Sequence, residues 1–470
     1  MAHSKSFPIL ERIEILDLAA EGKAIARHDN FVIFVTGAVP GDVVDLRILR
    51  KRKKFMEAIP VHFHELSKER VEPVCNHFGV CGGCKWQQLD YEKQIFYKEK
   101  QVKDQFERIG RIPIQLISPI LASANTTFYR NKLEFTFSSR RWITDKAELE
   151  NEETINRNAL GFHMPGRFDR VLQIDYCHLQ PEPSNDIRNA VNKFAQENEY
   201  TFYDPITEKG YLRNLTVRNT IEGQVMVILS VHDDDQELLE KILSFIWKSF
   251  PELHSLMYII NPKVNDSMAD MNVILYKGSE FLVEKMDNLS FRIGPKSFFQ
   301  TNTAQGLRLY ELAREYAALT GNETVYDLYT GTGTIALFVA AKAKKVIGIE
   351  YVEEAIEDAK INAAFNNISN CDFYAGDMNT VFTDEFIFAK GKPDVIILDP
   401  PRAGVHEKVI AGILYAQPKR IVYVSCNPAT QARDIALLSE KYEVTKVQPV
   451  DMFPHTQHVE NVALLIKKIA

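Results

Sequence analysis

No long apolar run occurs in this chain of 470 residues. A helix that crosses a bilayer needs ~20 consecutive apolar residues, and no segment approaches that length. The N-terminal segment, Met1 to Phe7, also has no apolar stretch of the kind found in secretory signal peptides. These absences predict a cytoplasmic protein that does not associate with a membrane.

An excess of positive charge is absent as well. The chain has 56 Lys and Arg against 63 Asp and Glu, a net charge of −7, so its overall charge does not indicate nucleic-acid binding. One local exception is a basic run that comprises Arg47, Arg50, Lys51, Arg52, Lys53 and Lys54. Such a run is either a solvated face or a patch that contacts RNA phosphates, and the sequence leaves both interpretations open.

Cysteine is also scarce, with six in the chain. Four of them form a candidate metal-binding set: Cys75, Cys81, Cys84 and Cys177. In a reducing compartment, clustered cysteines indicate a metal site rather than disulfides. The set suits zinc, with His77 or His178 as further possible ligands, and it also suits a [4Fe–4S] cluster. Unligated thiols are the remaining alternative.

The length and the changing pattern along the chain predict a multidomain α/β protein. Residues 1–65 alternate short β-rich stretches with turn signals, which is typical of a small β-barrel. Residues 66–124 contain the cysteine loop and a helix, and residues 125–288 read as an α+β domain. In residues 289–470, strands and helices alternate, which predicts a doubly wound, Rossmann-like parallel sheet.

Several elements are predicted with definite bounds. The barrel strands are expected at 13–18, 31–35 and 43–49, and the helices before the last domain at 91–109, 184–197 and 235–249. The first of these helices is inferred from apolar residues at Ile95, Phe96, Val102, Phe106 and Ile109. The strands of the last domain are expected at 324–328, 345–350, 371–375, 395–399, 420–425, 443–450 and 461–467.

A glycine-containing turn follows the first strand of the last domain, in the run Tyr329-Thr330-Gly331-Thr332-Gly333. Such glycines let a backbone approach a ligand closely. Glu350 ends the next strand, 19 residues after Gly331, where an acidic residue can accept hydrogen bonds from ribose hydroxyls. Asp377 follows the third strand, where an adenine edge is expected. The third glycine of the dinucleotide motif and the P-loop lysine are missing, which favours S-adenosylmethionine; the alternative is an ordinary tight turn.

Three residues at strand ends are candidates for the chemistry. Asp399 ends a buried strand before paired prolines that fix the turn, although it could simply be a capping residue. Cys426 ends another strand and precedes the turn signal Asn427-Pro428, which makes it a candidate nucleophile or, alternatively, a buried structural cysteine. Glu460 opens the last strand and is either a general base that faces the cysteine or an ordinary strand end.

Together these motifs resemble the RNA (uracil-5-)methyltransferases, most closely the bacterial 23S ribosomal RNA enzymes that carry an iron–sulfur cluster. The resemblance covers nearly the whole chain. The matching features are the N-terminal barrel, which looks like a TRAM domain, the four cysteines, Phe298–Asn302, the Gly-Thr-Gly turn, Asp399–Arg402, Ser425–Thr430 and His458–Val462. The last two segments are highly specific in combination.

The resemblance implies a role for each matching residue. Cys426 would be the nucleophile and Glu460 the base, and the four cysteines would bind [4Fe–4S] rather than zinc. The residues implied to line the cofactor and active-site pocket are Gln300, Tyr329, Glu350, Asp377 and Asp399. The turn departs from the usual family pattern at Tyr329, Thr330 and Thr334, so the resemblance carries no cofactor contact to Thr334.

The implied reaction is methyl transfer from S-adenosylmethionine to C5 of a uridine in 23S ribosomal RNA, through a covalent bond from the cysteine to C6 of uracil. The barrel and the basic run would hold the RNA, and a monomer is expected. One alternative is a transfer-RNA uracil-5-methyltransferase, members of which usually lack the barrel and the cluster. A non-catalytic RNA-binding or assembly factor is disfavoured by the intact Cys426, Asp399 and Glu460, and a DNA cytosine methyltransferase by the Ser-Cys-Asn-Pro context.

Overall fold

The structure is a computed structural model that describes residues 9–144, 148, 155–268 and 270–469. Met1 to Phe7, on which the expectation about a signal peptide rests, lie outside the described residues. Across the described ranges, no helix combines the length and the apolar character required to cross a membrane.

A closed five-stranded barrel occupies the N-terminal part, with the strand order β1-β2-β3-β5-β4. Its strands are β1 (Ile9–Leu18), β2 (Ala24–His28), β3 (Phe31–Val35), β4 (Val43–Lys51) and β5 (Phe55–Glu65). The barrel closes because β4 pairs antiparallel with β1, and β5 joins β3 to β4 by pairing parallel with the first and antiparallel with the second. Strands β2 and β5 were not predicted from the sequence. The first is short and carries one large aliphatic residue, and Pro60 interrupts the pattern of the second.

Helix α1 (Tyr91–Gln105) follows the cysteine loop and is shorter than predicted. It continues as a π-helical turn (Phe106–Gly110), and a short 3₁₀ turn follows at Ile114–Leu116. The buried positions of α1 are Gln94, Lys98 and Val102, whereas Phe96 is exposed. The helix is therefore where the sequence predicted it, and two of the predicted apolar positions, Val102 and Phe106, are buried. The polar side chains of Gln94 and Lys98 are buried as well, which the sequence did not predict.

The central part is an eight-stranded sheet in the order β13-β12-β11-β10-β6-β8-β9-β7. Its strands are β6 (Lys132–Ser138), β7 (Arg141–Trp142), β8 (Ala159–Met164), β9 (Arg167–Gln173), β10 (Leu212–Asn219), β11 (Val225–Val231), β12 (Leu253–Ile260) and β13 (Ile274–Gly278). Helices α2 (Ser184–Glu197) and α3 (Gln236–Ser249) pack apolar faces into the same core as this sheet. Both lie within a residue of their predicted bounds, and Asp235 caps the start of α3.

A hairpin, β14 (Leu282–Met286) and β15 (Leu289–Ile293), leads to a seven-stranded C-terminal sheet in the order β18-β17-β16-β19-β20-β22-β21. The strands of this sheet are β16 (Thr324–Leu328), β17 (Lys345–Glu350), β18 (Cys371–Ala375), β19 (Val395–Leu398), β20 (Arg420–Ser425), β21 (Tyr442–Val450) and β22 (Glu460–Lys467). The helices are α4 (Thr303–Ala317), α5 (Thr334–Ala340), α6 (Glu353–Phe365), α7 (Met378–Val381), α8 (Asp384–Lys390), α9 (Glu407–Ala416) and α10 (Pro428–Leu438). All seven strands agree with the prediction to within one residue.

The expectation of a parallel C-terminal sheet was wrong for one strand. β22 lies between β20 and β21 and is antiparallel to both. Its first residues therefore lie at the edge of the sheet where β20 ends, and Ser425 pairs with Asn461. In a parallel strand, a residue at the start would lie at the opposite edge. The reversal is what brings the beginning of β22 beside the end of β20.

Candidate active site

A cavity of about 1160 Å³ lies at the carboxyl edge of the C-terminal sheet. The seven pocket and catalytic residues expected from the sequence all line it: Gln300, Tyr329, Glu350, Asp377, Asp399, Cys426 and Glu460. They come from seven separate chain segments. The carboxyl ends of the parallel strands and the reversed start of β22 bring these segments together at one edge.

One half of the cavity is formed by the turn between β16 and α5. Tyr329 has a left-handed backbone, with φ of +69°, although it is not glycine. Its N–H and that of Thr330 both donate to the carbonyl oxygen of Ile349, each at 3.0 Å, which fixes the turn on the end of β17. Gly333 also has positive φ, and a Cβ there would lie 2.9 Å from the side chain of Ala359. The turn therefore packs tightly on its neighbours and keeps its backbone at the cavity.

Two carboxylates of this half are oriented by main-chain hydrogen bonds. Glu350 Oε2 accepts from the N–H of Gly331 at 3.1 Å, and Oε1 accepts from the N–H groups of Tyr351 and Val352 at 2.8 and 3.1 Å. Asp377 caps α7 by accepting from a main-chain N–H at 2.8 Å. Both side chains are thus held at strand ends beside the glycine turn, where they can accept further hydrogen bonds from a ligand.

The other half of the cavity brings Cys426, Glu460 and Asp399 together. Cys426 directly follows the residue of β20 that pairs with Asn461, and Glu460 directly precedes Asn461. Cys426 is half-buried, Glu460 is buried and Asp399 follows the last residue of β19. The expectation that the cysteine and the late glutamate face each other across neighbouring strands therefore agrees with their positions.

Burial changes the ionisation of all three groups. It raises the pKa of Asp399 to about 7, with a smaller contribution from the charge of Asp327. It raises the pKa of Glu460 to about 8, to which the charge of Asp399 adds and which Arg402 opposes. Burial and the charges of Glu460 and Asp399 raise the pKa of the Cys426 thiol to about 11. Burial therefore favours the protonated form of the thiol and of both carboxyl groups over their charged forms.

Arg402 belongs to the predicted Asp399–Arg402 motif, but no role for it was predicted from the sequence. Its charge and a hydrogen bond from it oppose the rise in the pKa of Cys426. Its carbonyl oxygen accepts from Asn427 Nδ2 at 3.0 Å and from Thr430 Oγ1 at 3.2 Å. These bonds join the turn after β19 to the turn after β20. The sequence did contain a signal for Arg402. The paired prolines before it fix the turn, which restricts where its charged side chain can lie relative to the neighbouring turn.

Two other lining residues were also not assigned roles from the sequence. Phe298 is 69% exposed at the cavity and belongs to the Phe-Phe-Gln-Thr-Asn run. Tyr310 is buried on α4 and also lines the cavity, as does Thr334, to which no cofactor contact had been assigned. An exposed aromatic ring beside a cavity offers a flat surface for stacking, whereas a buried tyrosine on a helix carries no distinctive sequence signal.

The four cysteines of the candidate metal set line a separate cavity of about 150 Å³. They are close enough to influence one another: burial raises the pKa of Cys81 to about 12, and the charges of the other three thiols contribute to the rise. His77 and His178 line the same cavity, but His77 Nε2 already accepts from the N–H of Asp175 at 3.0 Å. Among the described residues, no group of three or more His, Cys, Asp or Glu side chains has the geometry to hold a single metal ion.

The basic run lies on β4 and on the turn that follows it, and all six side chains are exposed. Lys51 Nζ lies 4.4 Å from the centre of the Phe31 ring, and Arg50 makes a loose ion pair with Glu57 at 3.9 Å. An exposed cation beside an aromatic ring is compatible with RNA binding, since the cation can contact phosphates and the ring can stack on bases.

Comparison with known proteins gives the family. The sequence profile described as tRNA (Uracil-5-)-methyltransferase matches residues 276–468, and the profile of the TRAM domain matches residues 11–61. An RNA methyltransferase of Bacteroides thetaiotaomicron, itself described as uncharacterized, is 58% identical over 95% of this chain and 99% of its own. The chain belongs to the RNA (uracil-5-)methyltransferase family. A second relative, from Porphyromonas gingivalis and similarly described, is 50% identical over 97% of this chain and 99% of its own.

A solved structure extends the likeness to the fold. The crystal structure of the Pyrococcus abyssi tRNA (uracil-54, C5)-methyltransferase in complex with S-adenosyl-L-homocysteine matches with a TM-score of 0.74 at 25% identity. The match covers 97% of this chain and 100% of the other. The family resemblance inferred from the motifs is confirmed, and the protein is an S-adenosylmethionine-dependent RNA (uracil-5-)methyltransferase.

The same comparison removes one argument about the substrate. The N-terminal half was expected to separate this chain from transfer-RNA enzymes, which usually lack the barrel and the cluster. The Pyrococcus transfer-RNA enzyme aligns over its full length with nearly all of this chain. The presence of the N-terminal half therefore does not distinguish a ribosomal from a transfer-RNA substrate.

Proposed function

We propose that this enzyme methylates C5 of a uridine in 23S ribosomal RNA through a covalent bond between Cys426 and C6 of the base, forming 5-methyluridine. One observation carries the mechanism. Cys426 and Glu460 flank paired residues of the antiparallel strands β20 and β22, in the cavity that also contains the glycine turn and Glu350. A nucleophile and a base thus face the same space as the candidate cofactor site.

The residues of this cavity divide the chemistry between them. C5 of uracil is a weak nucleophile. The Cys426 thiol first loses its proton to bulk water, and addition of the resulting thiolate to C6 moves electron density to C5. Bound S-adenosylmethionine supplies the methyl group that C5 takes up. Glu460 then accepts the proton from C5, the C5–C6 double bond re-forms and the C6–S bond breaks, which returns the electron pair to the sulfur of Cys426. Arg402 assists at the first and last steps because its charge stabilises the thiolate.

The glycine-turn half of the cavity fits S-adenosylmethionine. We assign Glu350 to the ribose hydroxyls and Asp377 to the adenine edge, and we assign Gln300, Tyr329 and Asp399 to the rest of the pocket. The close main-chain packing of the turn and the fixed orientation of the Glu350 carboxylate support this assignment. A carboxylate held by three N–H groups retains lone pairs for ligand hydroxyls without having to reorient.

Two RNA substrates have to be considered. The motif resemblance favours 23S ribosomal RNA, whereas the full-length match to the Pyrococcus enzyme favours transfer RNA. In both cases the target base must leave its stack to reach Cys426, and the exposed Phe298 at the cavity offers a surface for it. We propose that the barrel and its basic run hold the flanking RNA and that the enzyme acts as a monomer.

We also propose that Cys75, Cys81, Cys84 and Cys177 bind a [4Fe–4S] cluster, with zinc as the alternative. Four sulfur donors lining one small cavity are the ligand set that such clusters use. The proposed role is structural, because the cysteine loop packs between the barrel and the catalytic part of the chain.

The covalent step can be tested with two variants. Cys426→Ala is expected to lose turnover by about four orders of magnitude or more, because the attacking sulfur is absent. Glu460→Gln is expected to form the methylated adduct but not to release it, so a protein–RNA band should persist in a denaturing gel. Turnover by Cys426→Ala at the rate of the unsubstituted enzyme would contradict the mechanism, and absence of the band with Glu460→Gln would contradict the base role.

The raised pKa of Glu460 predicts a pH dependence. The base acts as a carboxylate, and its pKa is raised to about 8, so the active form is a minority at pH 7 and increases as the pH rises. Turnover at saturating substrates should therefore rise through pH 8, with an apparent pKa that belongs to Glu460 and Asp399 jointly. The measurement is kcat from pH 6 to 9, with S-adenosylhomocysteine binding as a control for folding. A rate that is already constant above pH 6 would contradict this prediction.

The substrate can be decided by mass spectrometry of nucleosides. Unmodified 23S ribosomal RNA and unmodified transfer RNA are each incubated with the enzyme and methyl-labelled S-adenosylmethionine. We expect labelled 5-methyluridine in the ribosomal RNA alone. Label in transfer RNA alone would retain the chemistry and overturn the ribosomal assignment.

The metal proposal predicts the composition of the protein purified without oxygen. Iron and acid-labile sulfide should be present in equal amounts, and the triple variant Cys75→Ser/Cys81→Ser/Cys84→Ser should contain neither. Cys371→Ser is the matched control, because Cys371 lies on β18 outside the cavity of the four cysteines and should leave the content unchanged. Zinc without sulfide would contradict the cluster.

A further inference from the structure

The segment that connects β21 to β22 contacts most parts of the described chain. This linking segment, residues 451–459, ends immediately before Glu460. Most of its residues are buried, although it has no regular secondary structure. Such a loop needs partners for its main-chain groups, and the identity of those partners shows what determines its position.

Helix α1 supplies the first partner. Lys98 Nζ donates to Asp451 Oδ1 at 2.6 Å and to the carbonyl oxygen of Phe453 at 3.0 Å. Both side chains of this ion pair are fully buried. Tyr91, on the first turn of α1, donates its hydroxyl to the second oxygen of Asp451 at 2.9 Å. The start of the linking segment is therefore bound to a helix more than 340 positions earlier in the sequence.

Gln94 supplies the second contact, at His455. Its Oε1 accepts from the N–H of His455 at 2.8 Å, and its Nε2 lies 3.2 Å from His455 Nδ1. The carbonyl oxygen of His455 accepts from the N–H groups of Lys85 and Trp86, at 2.8 and 3.1 Å. His455 has a left-handed backbone, with φ of +65°, which a non-glycine residue adopts at a cost. The conformation persists because both main-chain groups of the residue are held by distant parts of the chain.

The barrel contacts the same segment. Trp86 donates its indole N–H to the carbonyl oxygen of Gly22, in the turn between β1 and β2, at 3.1 Å. A Cβ at Gly22 would lie 3.1 Å from the side chain of Gln457. The barrel, the end of the cysteine loop and α1 therefore all contact the linking segment.

We propose that Gln94 and Lys98 are positioning residues for Glu460, so that α1 sets the geometry of the step in which the proton leaves C5. This inference rests on the base role proposed above and adds the elements that hold the base in place. Cys426 is positioned differently. It lies between β20 and α10, where the Asn427 side chain caps α10, and neither element depends on Gln94 or Lys98 for its hydrogen bonds. A shift of the linking segment should therefore impair proton removal more than sulfur addition.

The test uses two variants that disturb the linking segment and leave Cys426, Glu460 and the assigned cofactor residues unsubstituted. Gln94→Met removes the bonds to His455, and those to the carbonyl oxygens of Trp86 and Leu89, with little change in volume. Lys98→Met/Asp451→Asn removes the ion pair without leaving one charge buried and serves as the second variant if the first does not fold. We expect kcat to fall by about 10- to 100-fold, since displacements of about 1 Å have that effect. The KM values for RNA and S-adenosylmethionine should stay within about twofold, because binding groups are unchanged.

Two readouts separate positioning from a general loss of structure. The methylated adduct should accumulate in a denaturing gel, as with Glu460→Gln, while its rate of formation in a single turnover is unchanged. RNA that carries deuterium at C5 of the target uridine should show a larger isotope effect on kcat than with the unsubstituted enzyme, because proton removal has become limiting. Lys100→Met is the matched control. It lies on the same helix but pairs with Asp17 of the barrel, so neither readout should change.

The outcomes are distinguishable. If Glu460→Gln accumulates the adduct but Gln94→Met and the double variant do not, the base role stands and the positioning role is overturned. An isotope effect equal to that of the unsubstituted enzyme would also overturn it. If Glu460→Gln itself forms no adduct, the proposed mechanism fails, and the positioning role fails with it.

Discussion

The reversed direction of β22 is the constraint on which the proposed catalytic arrangement depends. A strand inserted antiparallel into a parallel sheet presents its first residue at the edge where its neighbours end. Glu460 thereby meets the turn that carries Cys426, and no long loop is needed to bring it there. The register is fixed by a buried amide network in which Asn461 Nδ2 donates to Gln431 Oε1 at 2.7 Å and Gln431 donates to the carbonyl oxygen of Tyr423. A slip by one residue would turn Glu460 to the other face of the sheet.

Burial in this cavity disfavours the negatively charged forms of the thiol and carboxyl groups, although the proposed reaction needs those forms. The thiol and both carboxyl groups lose hydration, and each negative charge disfavours the next, so the pKa values of Asp399, Glu460 and Cys426 all rise. The opposing group at Cys426 is Arg402, which is exposed and which the proline-fixed turn holds in position. A fixed positive charge at this position stabilises the thiolate that the proposed mechanism requires.

The sequence predicted the cavity better than it predicted the contacts that hold it. The residues at strand ends, such as Glu350 and Cys426, were found because parallel strands present their carboxyl ends at one edge, a rule that needs no coordinates. The direction of β22 was missed, since an apolar strand has the same pattern in either direction. The burial of Gln94 and Lys98 on α1 was also not predicted, because periodicity identifies apolar residues, whereas these two are polar and their partners in the linking segment lie more than 350 residues away. Contacts of this kind leave no local signal.

The Lys98–Asp451 pair is also hard to explain by stability alone. Two charges removed from water lose hydration that their mutual attraction scarcely restores, and well-packed apolar residues would often stabilise a fold as much or more. An apolar pair, however, has no preferred orientation, whereas an ammonium group that bonds both a carboxylate and the Phe453 carbonyl oxygen fixes the chain in one conformation. The left-handed conformation of His455 needs such fixing, because the segment has no regular structure to impose it. Directional hydrogen bonds from α1 therefore fix the conformation of the linking segment, whereas pairing within the sheet fixes the position of Cys426.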